Sequence, residues 1–148
     1  MKLRAGMMLW LVPLMFALVY LLAYTFKVFS PNRNDEKLHK CESLLDAIPL
    51  YPGSELVFRS GASKDKIASV GRTYKSKDGY EKLKWYYIQT LKERGWQVIG
   101  ERDVSEWDRS LGGRVLSFRQ DQCELNIQYA GEKTDFGWDY SLDIHWQS

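Results

Sequence analysis

The stretch WDYSLDIHW, Trp138 to Trp146, alternates without a break: Trp138, Tyr140, Leu142, Ile144 and Trp146 on one side, Asp139, Ser141, Asp143 and His145 on the other. Side chains of a strand point to opposite faces in turn, so this pattern predicts a strand with one face in a core and one in water. CELNIQYA, residues 123–130, repeats the arrangement, with Cys123, Leu125, Ile127 and Tyr129 inward and Glu124, Asn126 and Gln128 outward. WQVIGERDV and GRVLSFRQD carry the same period upstream, and the segments between the four runs are short and rich in Gly, Asp and Ser. Short connections of that kind join antiparallel neighbours.

Before these strands the period changes. In DGYEKLKWYYIQTLKERG, residues 78–95, Tyr80, Leu83, Tyr87, Ile88 and Leu91 recur at helical spacing, with Ser76 or Asp78 as the expected cap and Gly95 as the stop. Two strands are expected ahead of it, Glu55 to about Arg59 and KIASVGRTYK, turned by SGASKD. They start from a corner, Tyr51-Pro52-Gly53-Ser54, with the composition of a type II turn. A first short helix is expected from Asn34 or Asp35 to about Ala47, with Leu38, Cys41, Leu45 and Ile48 on one side, stopped by Pro49.

The run Met7 to Phe26 has twenty residues without a charge, roughly the hydrocarbon thickness of a bilayer at about 1.5 Å per residue. It reads as a membrane span, with a local bend at Pro13 and with Trp10, Tyr20 and Tyr24 near the interfaces. A cleaved signal peptide is the competing reading, although the run is long for one and AYTFKVFS offers no small-x-small cleavage site. Basic residues flank both ends; the short tail without an acidic residue favours a cytoplasmic amino terminus and an extracytoplasmic domain. The expected fold is therefore α+β: an N-terminal transmembrane helix, then a short helix and a single antiparallel sheet with one helix packed on it, in the order α-ββ-α-ββββ. The expected division is 1–29 anchor, 30–47 linker and short helix, and 48–148 domain.

The corner Tyr51-Pro52-Gly53-Ser54, two strands, and a helix whose end spaces Tyr87, Leu91, Gly95 and Trp96 resemble a recurrent small bacterial envelope domain. Its recurring words are Tyr-Pro-Gly-Ala/Ser and Tyr-x3-Leu-x3-Gly-Trp. The resemblance covers about residues 48–100 and implies an envelope-anchored domain, with no activity attached to it.

Composition narrows the chemistry. Removing Lys2 and Arg4 leaves nineteen basic and nineteen acidic residues from position 27 onward, a balance that argues against nucleic acid as a partner. The two histidines, His39 and His145, sit in no catalytic word. Asp139, Asp143 and His145 share a strand face, but ligands two apart diverge by about 7 Å per step, so a solvated polar face is the better reading. Ser54, Ser60, Ser63 and Ser117 lie in no nucleophile elbow, and the glycines form no phosphate loop. No metal, cofactor or catalytic residue is assigned.

Cys41 and Cys123 lack a CxxC partner. They read either as free core thiols or as a disulfide joining the first helix to the sheet, worth roughly 4 kcal/mol in the chain-entropy account. On the second helix the inward stripe leaves Trp85 and Tyr86 sideways or outward beside Lys82 and Lys84, and these with Trp107 are the candidate partner contacts. The expected function is a non-enzymatic single-pass membrane protein, an accessory or interaction subunit of a larger membrane or envelope assembly. The alternative is a tethered binding module for a glycan, lipid or small molecule in an aromatic-lined groove.

Overall fold

The computed structural model describes residues 33–64, 67–106, 109–131 and 137–146. The elements run α1 (Arg33–Asp46), β1 (Glu55–Lys64), β2 (Ile67–Lys75), α2 (Tyr80–Lys92), β3 (Gln97–Glu106), β4 (Arg109–Gln120), β5 (Cys123–Tyr129) and β6 (Tyr140–Trp146). The fold is α+β, with one six-stranded sheet in the order β1-β2-β6-β5-β4-β3 and every pairing antiparallel. The hairpin β1–β2 and the meander β3–β4–β5 follow from their short connections. β6 then enters between the two, pairing Val70 with Ile144 on one side and Leu125 with Ile144 on the other.

Alternation decides what each strand buries. Tyr140, Leu142 and Ile144 of β6, Cys123, Leu125 and Ile127 of β5, and Leu116 and Phe118 of β4 form the core with Ala68, Val70 and Tyr74 of β2. α2 contributes the stripe Tyr80, Leu83, Tyr87 and Leu91, with Ile88 partly buried. Trp138 and Trp146, read as fully inward, end up only partly buried at the two ends of the last strand's run.

Both helices pack on the same face, which corrects the expectation of one. Cys41, Leu45 and, just past the helix, Ile48 belong to the same core as α2's stripe, so the segment read as linker and short helix is a working layer of the domain. Leu38 and Leu44 pack against the edge of the same core, which also holds the small Ala68 and Val70 of β2. β1 is also longer than expected: SGASKD continues the strand as far as Lys64, with Ser60 to Lys64 in register with β2. The helix α2 starts at Gly79 without a side-chain cap. The expected caps are engaged elsewhere, Ser76 Oγ accepting from the Asp78 N–H and the Asp78 carboxylate accepting from Tyr51 and Lys82.

The expected anchor, residues 1–29 with Trp10, Pro13, Tyr20 and Tyr24, lies outside the described residues, as does Trp107. Among the described residues no helix is long and apolar enough to cross a membrane.

Candidate functional site

The corner Tyr51-Pro52-Gly53-Ser54 is a turn closed by the Ser54 N–H on the Tyr51 carbonyl at 3.1 Å, with Gly53 at φ 76°. It is tied to two distant segments. The Tyr51 N–H donates to Tyr87 Oη at 3.3 Å, and the Tyr140 hydroxyl donates to Ser54 Oγ at 2.9 Å. Since Tyr140 spends its only proton on Ser54, the 3.2 Å contact between the two phenols has Tyr87 as its donor. The relay thus runs Tyr51 to Tyr87 to Tyr140 to Ser54. At the far end of α2, Gly95 takes φ 83° and the Trp96 N–H returns to the Leu91 carbonyl at 3.0 Å, dropping Trp96 into the core. The two sequence words separated by some thirty residues are one hydrogen-bonded unit. Burial pushes the Tyr87 phenol well above its ordinary range, with Tyr140's neighbourhood adding to it, so this cluster fixes geometry and is a poor proton donor near neutral pH.

The face of the sheet away from the helices is polar but not loose. Ser141 is only 4% exposed, and its hydroxyl donates to Asp143 at 2.5 Å. Asp143 leans across to β2, where a Cβ on Gly71 would lie 2.3 Å from Asp143 Oδ1 and 2.7 Å from Ser60 Oγ. A side chain there would have to push Asp143 and Ser60 aside. Burial holds the Asp143 carboxyl above its usual range, against the Ser141 bond and His145, which pull it down. In the register His145 stands between Ser69 of β2 and Glu124 of β5, while Asp139 is taken up by the Ser76 N–H at 2.7 Å. Glu124 in turn meets Arg119 and Asn126. Among the described residues no three His, Cys, Asp or Glu side chains converge as metal ligands. Of the serines weighed, Ser54 serves the relay and Ser117 donates to Asn126 at 2.6 Å.

The expected aromatic contact surface is broken up. Trp85 is 69% exposed, but Tyr86 turns back, its hydroxyl on the Leu50 carbonyl at 3.0 Å and its ring edge-to-face with Tyr51 and Tyr87. Lys82 reaches Asp78 at 2.5 Å and Lys84 reaches Glu101 at 2.6 Å. Glu101 also accepts from Tyr80 and Arg114 at 2.9 and 3.2 Å; Lys84, ahead of Tyr80, holds its carboxyl below the usual range. In the hollow lined by Tyr80, Lys82, Arg114 and Tyr129, both basic groups are thus already ion-paired.

Sequence reading missed a groove of about 510 Å³ between α1 and the β1–β2 hairpin. Leu38, Glu42 and Asp46, one stripe of α1, form one wall, and Arg59 of β1 and Arg72 of β2 the other. The two arginines are cross-strand partners, and Arg72 is ion-paired with Asp46, whereas Arg59 makes no ion pair with a described residue. Like charges placed side by side are unfavourable without a counter-ion. The signal was there in FRS and GRT: a hairpin that pairs Lys64 with Ile67 brings 59 opposite 72. β1 is the end strand of the sheet, its outer edge unpaired by any described strand, and near its start Leu56, Val57 and Phe58 are 43%, 47% and 63% exposed around a bulge.

Cys41 and Cys123, read as bonded or free, are brought into one core cluster: both are buried, and their thiols are free in this structure.

Compared with known proteins, the chain matches no family model, no curated protein and no solved structure.

Proposed function

We propose that the chain is a non-enzymatic, single-pass membrane protein of a bacterial envelope, held by residues 7–26 and displaying residues 33–148 on the extracytoplasmic side as an interaction subunit. Its partner is a protein of the same membrane or envelope assembly, and the docking element is the open edge of β1. One observation carries the choice of surface: three consecutive apolar side chains, Leu56, Val57 and Phe58, stand exposed on an end strand, with exposed Leu50 nearby in sequence. Edge strands are ordinarily blunted with charge or cover, and an exposed apolar edge invites an added strand. The bulge between Leu56 and Phe58 interrupts pairing at that point, so an extended partner segment would add along residues 59–63 and use the apolar residues as its anchor.

The experiment is solubilisation of native membranes in mild detergent, with a photo-crosslinking residue at Phe58 or, in a second sample, at Trp85. A partner captured from Phe58 and not from Trp85 supports the reading. Repeated recovery as an uncrosslinked monomer from both positions removes it.

The second reading is a tethered binding module, and the groove favours it. Asp46 pairs Arg72 and leaves Arg59 without an ion pair among the described residues, so a small ligand bearing a carboxylate or phosphate would complete the pairing. Calorimetric titration with small carboxylates and phosphates, lost in Arg59→Gln, is the measurement that separates it from strand addition.

A further inference from the structure

The core of this domain holds two thiols where hydrophobic packing alone does not ask for them. Cys41 projects from the middle of α1 and Cys123 opens β5; the first is 0% exposed and the second 1%. They are 82 positions apart in the chain, from 41 to 123, yet they meet in one core cluster, where Lys40, the residue before Cys41, lies over the ring of Trp146, the register partner of Cys123. Trp146, the register partner of Cys123, is covered by Lys37 and Lys40, whose ammonium groups lie 5.7 and 4.9 Å from its ring centroid. Both cysteines are thus enclosed in the folded domain, out of reach of a reagent in solvent.

We infer that Cys41 and Cys123 are a disulfide-forming pair that clamps α1 to β5, and that the bond is made before α1 docks rather than in the finished fold. The first part rests on two buried thiols that different layers, α1 and β5, bring to one place in the core beside the Lys40–Trp146 contact. The second follows from access. Thiol–disulfide exchange begins with a thiolate attacking a disulfide donor, such as oxidised glutathione or the disulfide of an oxidoreductase, and both thiols here are enclosed. Burial, reinforced by Cys123, pushes the Cys41 thiol up to about 11, and burial raises Cys123 as well, against the opposing pull of Lys40. A rise of two units removes about a hundredfold of thiolate and restores about tenfold through nucleophilicity, so ionisation alone slows the folded pair about tenfold before steric exclusion is counted.

The chemistry balances without a further reactant. One cysteine thiolate attacks the donor disulfide and forms a mixed disulfide, releasing the first donor thiolate. The second cysteine, deprotonated by solvent base, attacks the protein sulfur of that mixed disulfide and releases the second. Two thiol protons and two electrons have passed to the donor, which leaves as two thiols. The pairing stands whether or not a partner docks on β1.

The test uses the full chain purified in detergent and reduced. One sample is unfolded and refolded in a buffer of oxidised and reduced glutathione; a second is exposed to the same buffer while folded. Both are acid-quenched, alkylated after denaturation and weighed intact. The refolded sample should lose two hydrogens, take up no alkyl group and carry no glutathione, and the folded sample should convert at least about tenfold more slowly. Two alkylated cysteines, or mixed and intermolecular disulfides, in the refolded sample would overturn the pairing; equal rates in the two samples would overturn the order of events. A Cys41→Ser, Cys123→Ser double variant supplies the stability readout: the wild-type melting temperature should rise on oxidation, while that of the variant should ignore reductant. A wild-type midpoint that oxidation leaves unmoved would count against the clamp.

Discussion

Tyr140, Leu142 and Ile144 point to the helices and are sealed by large side chains; Ser141 and Asp143, one residue away in the same strand, point the other way and are also largely withdrawn from water. The two faces reach that end by different means. On the helix face, apolar area is removed from water and any change of volume is felt as a cavity. On the open face, closure comes from small polar groups fitted around Gly71, and what is felt is displaced hydrogen bonding or an awkward charge. The comparison teaches that a face without a helix need not be a solvated one.

The largest effects should come from the helix face. Leu91→Ala and Leu45→Ala each remove a fully buried side chain and should lower unfolding free energy by about 2–5 kcal/mol in urea titrations. They should differ in reach. α2 is tied to the corner and β6 by the tyrosine relay, so loss at Leu91 should weaken the whole domain. Loss at Leu45 should show in hydrogen exchange as early opening of α1. Next comes Gly71→Ala, which forces Asp143 and Ser60 aside and should cost about 1–3 kcal/mol; a neutral result would mean that the open face has more slack than its geometry allows. Tyr87→Phe strands the Tyr51 N–H and should cost about 1–2 kcal/mol while leaving the sheet intact by circular dichroism.

The smallest effect sharpens the comparison through pH. Glu101, on the helix side and held below its usual range by Lys84, contributes stability that is present above the unfolded carboxylate value near 4.3 and lost as pH falls through its lowered folded value. Asp143 has the opposite sign: its folded value is raised by burial, so its penalty is absent in acid and grows as pH rises from about 4 through that raised value. Thermal melts from pH 4 to 7 should therefore show Asp143→Asn gaining on the wild type as pH rises. Glu101→Gln should lose most at neutral pH and least in acid.

The helix face was legible because its residues repeat: Cys123, Leu125 and Ile127, then Tyr140, Leu142 and Ile144, carry the strand period, and Tyr80, Leu83, Tyr87 and Leu91 the helical one. α1 was underrated because its stripe of Leu38, Cys41, Leu45 and, just past the helix, Ile48 is short, and nothing local says which face of the sheet it meets. The open face was misjudged for a related reason. Ser141 and Asp143 look like solvent-facing letters, and only the register across β2 and β6 brings Gly71 beneath Asp143. Of the candidate surface, Lys84 and Tyr86 found partners 17 and 36 positions away, contacts that periodicity cannot reveal, and Lys82 found Asp78 just ahead of the helix. The groove at Arg59 was hidden in the same way, since its walls come from three segments.

The central place of β6 bears on when the domain can form. The hairpin and the meander each have an edge that stays bare until residues 140–146 arrive, because the last of the described strands fills the middle of the sheet and its neighbours reach back some seventy positions to β2. During synthesis neither half can settle alone into the native sheet, and loop closure over that distance makes the final step a slow one relative to hairpin formation. Assembly of this sheet is therefore expected to be a joint event, in which the hairpin and the meander gain their shared neighbour together when β6 closes between them.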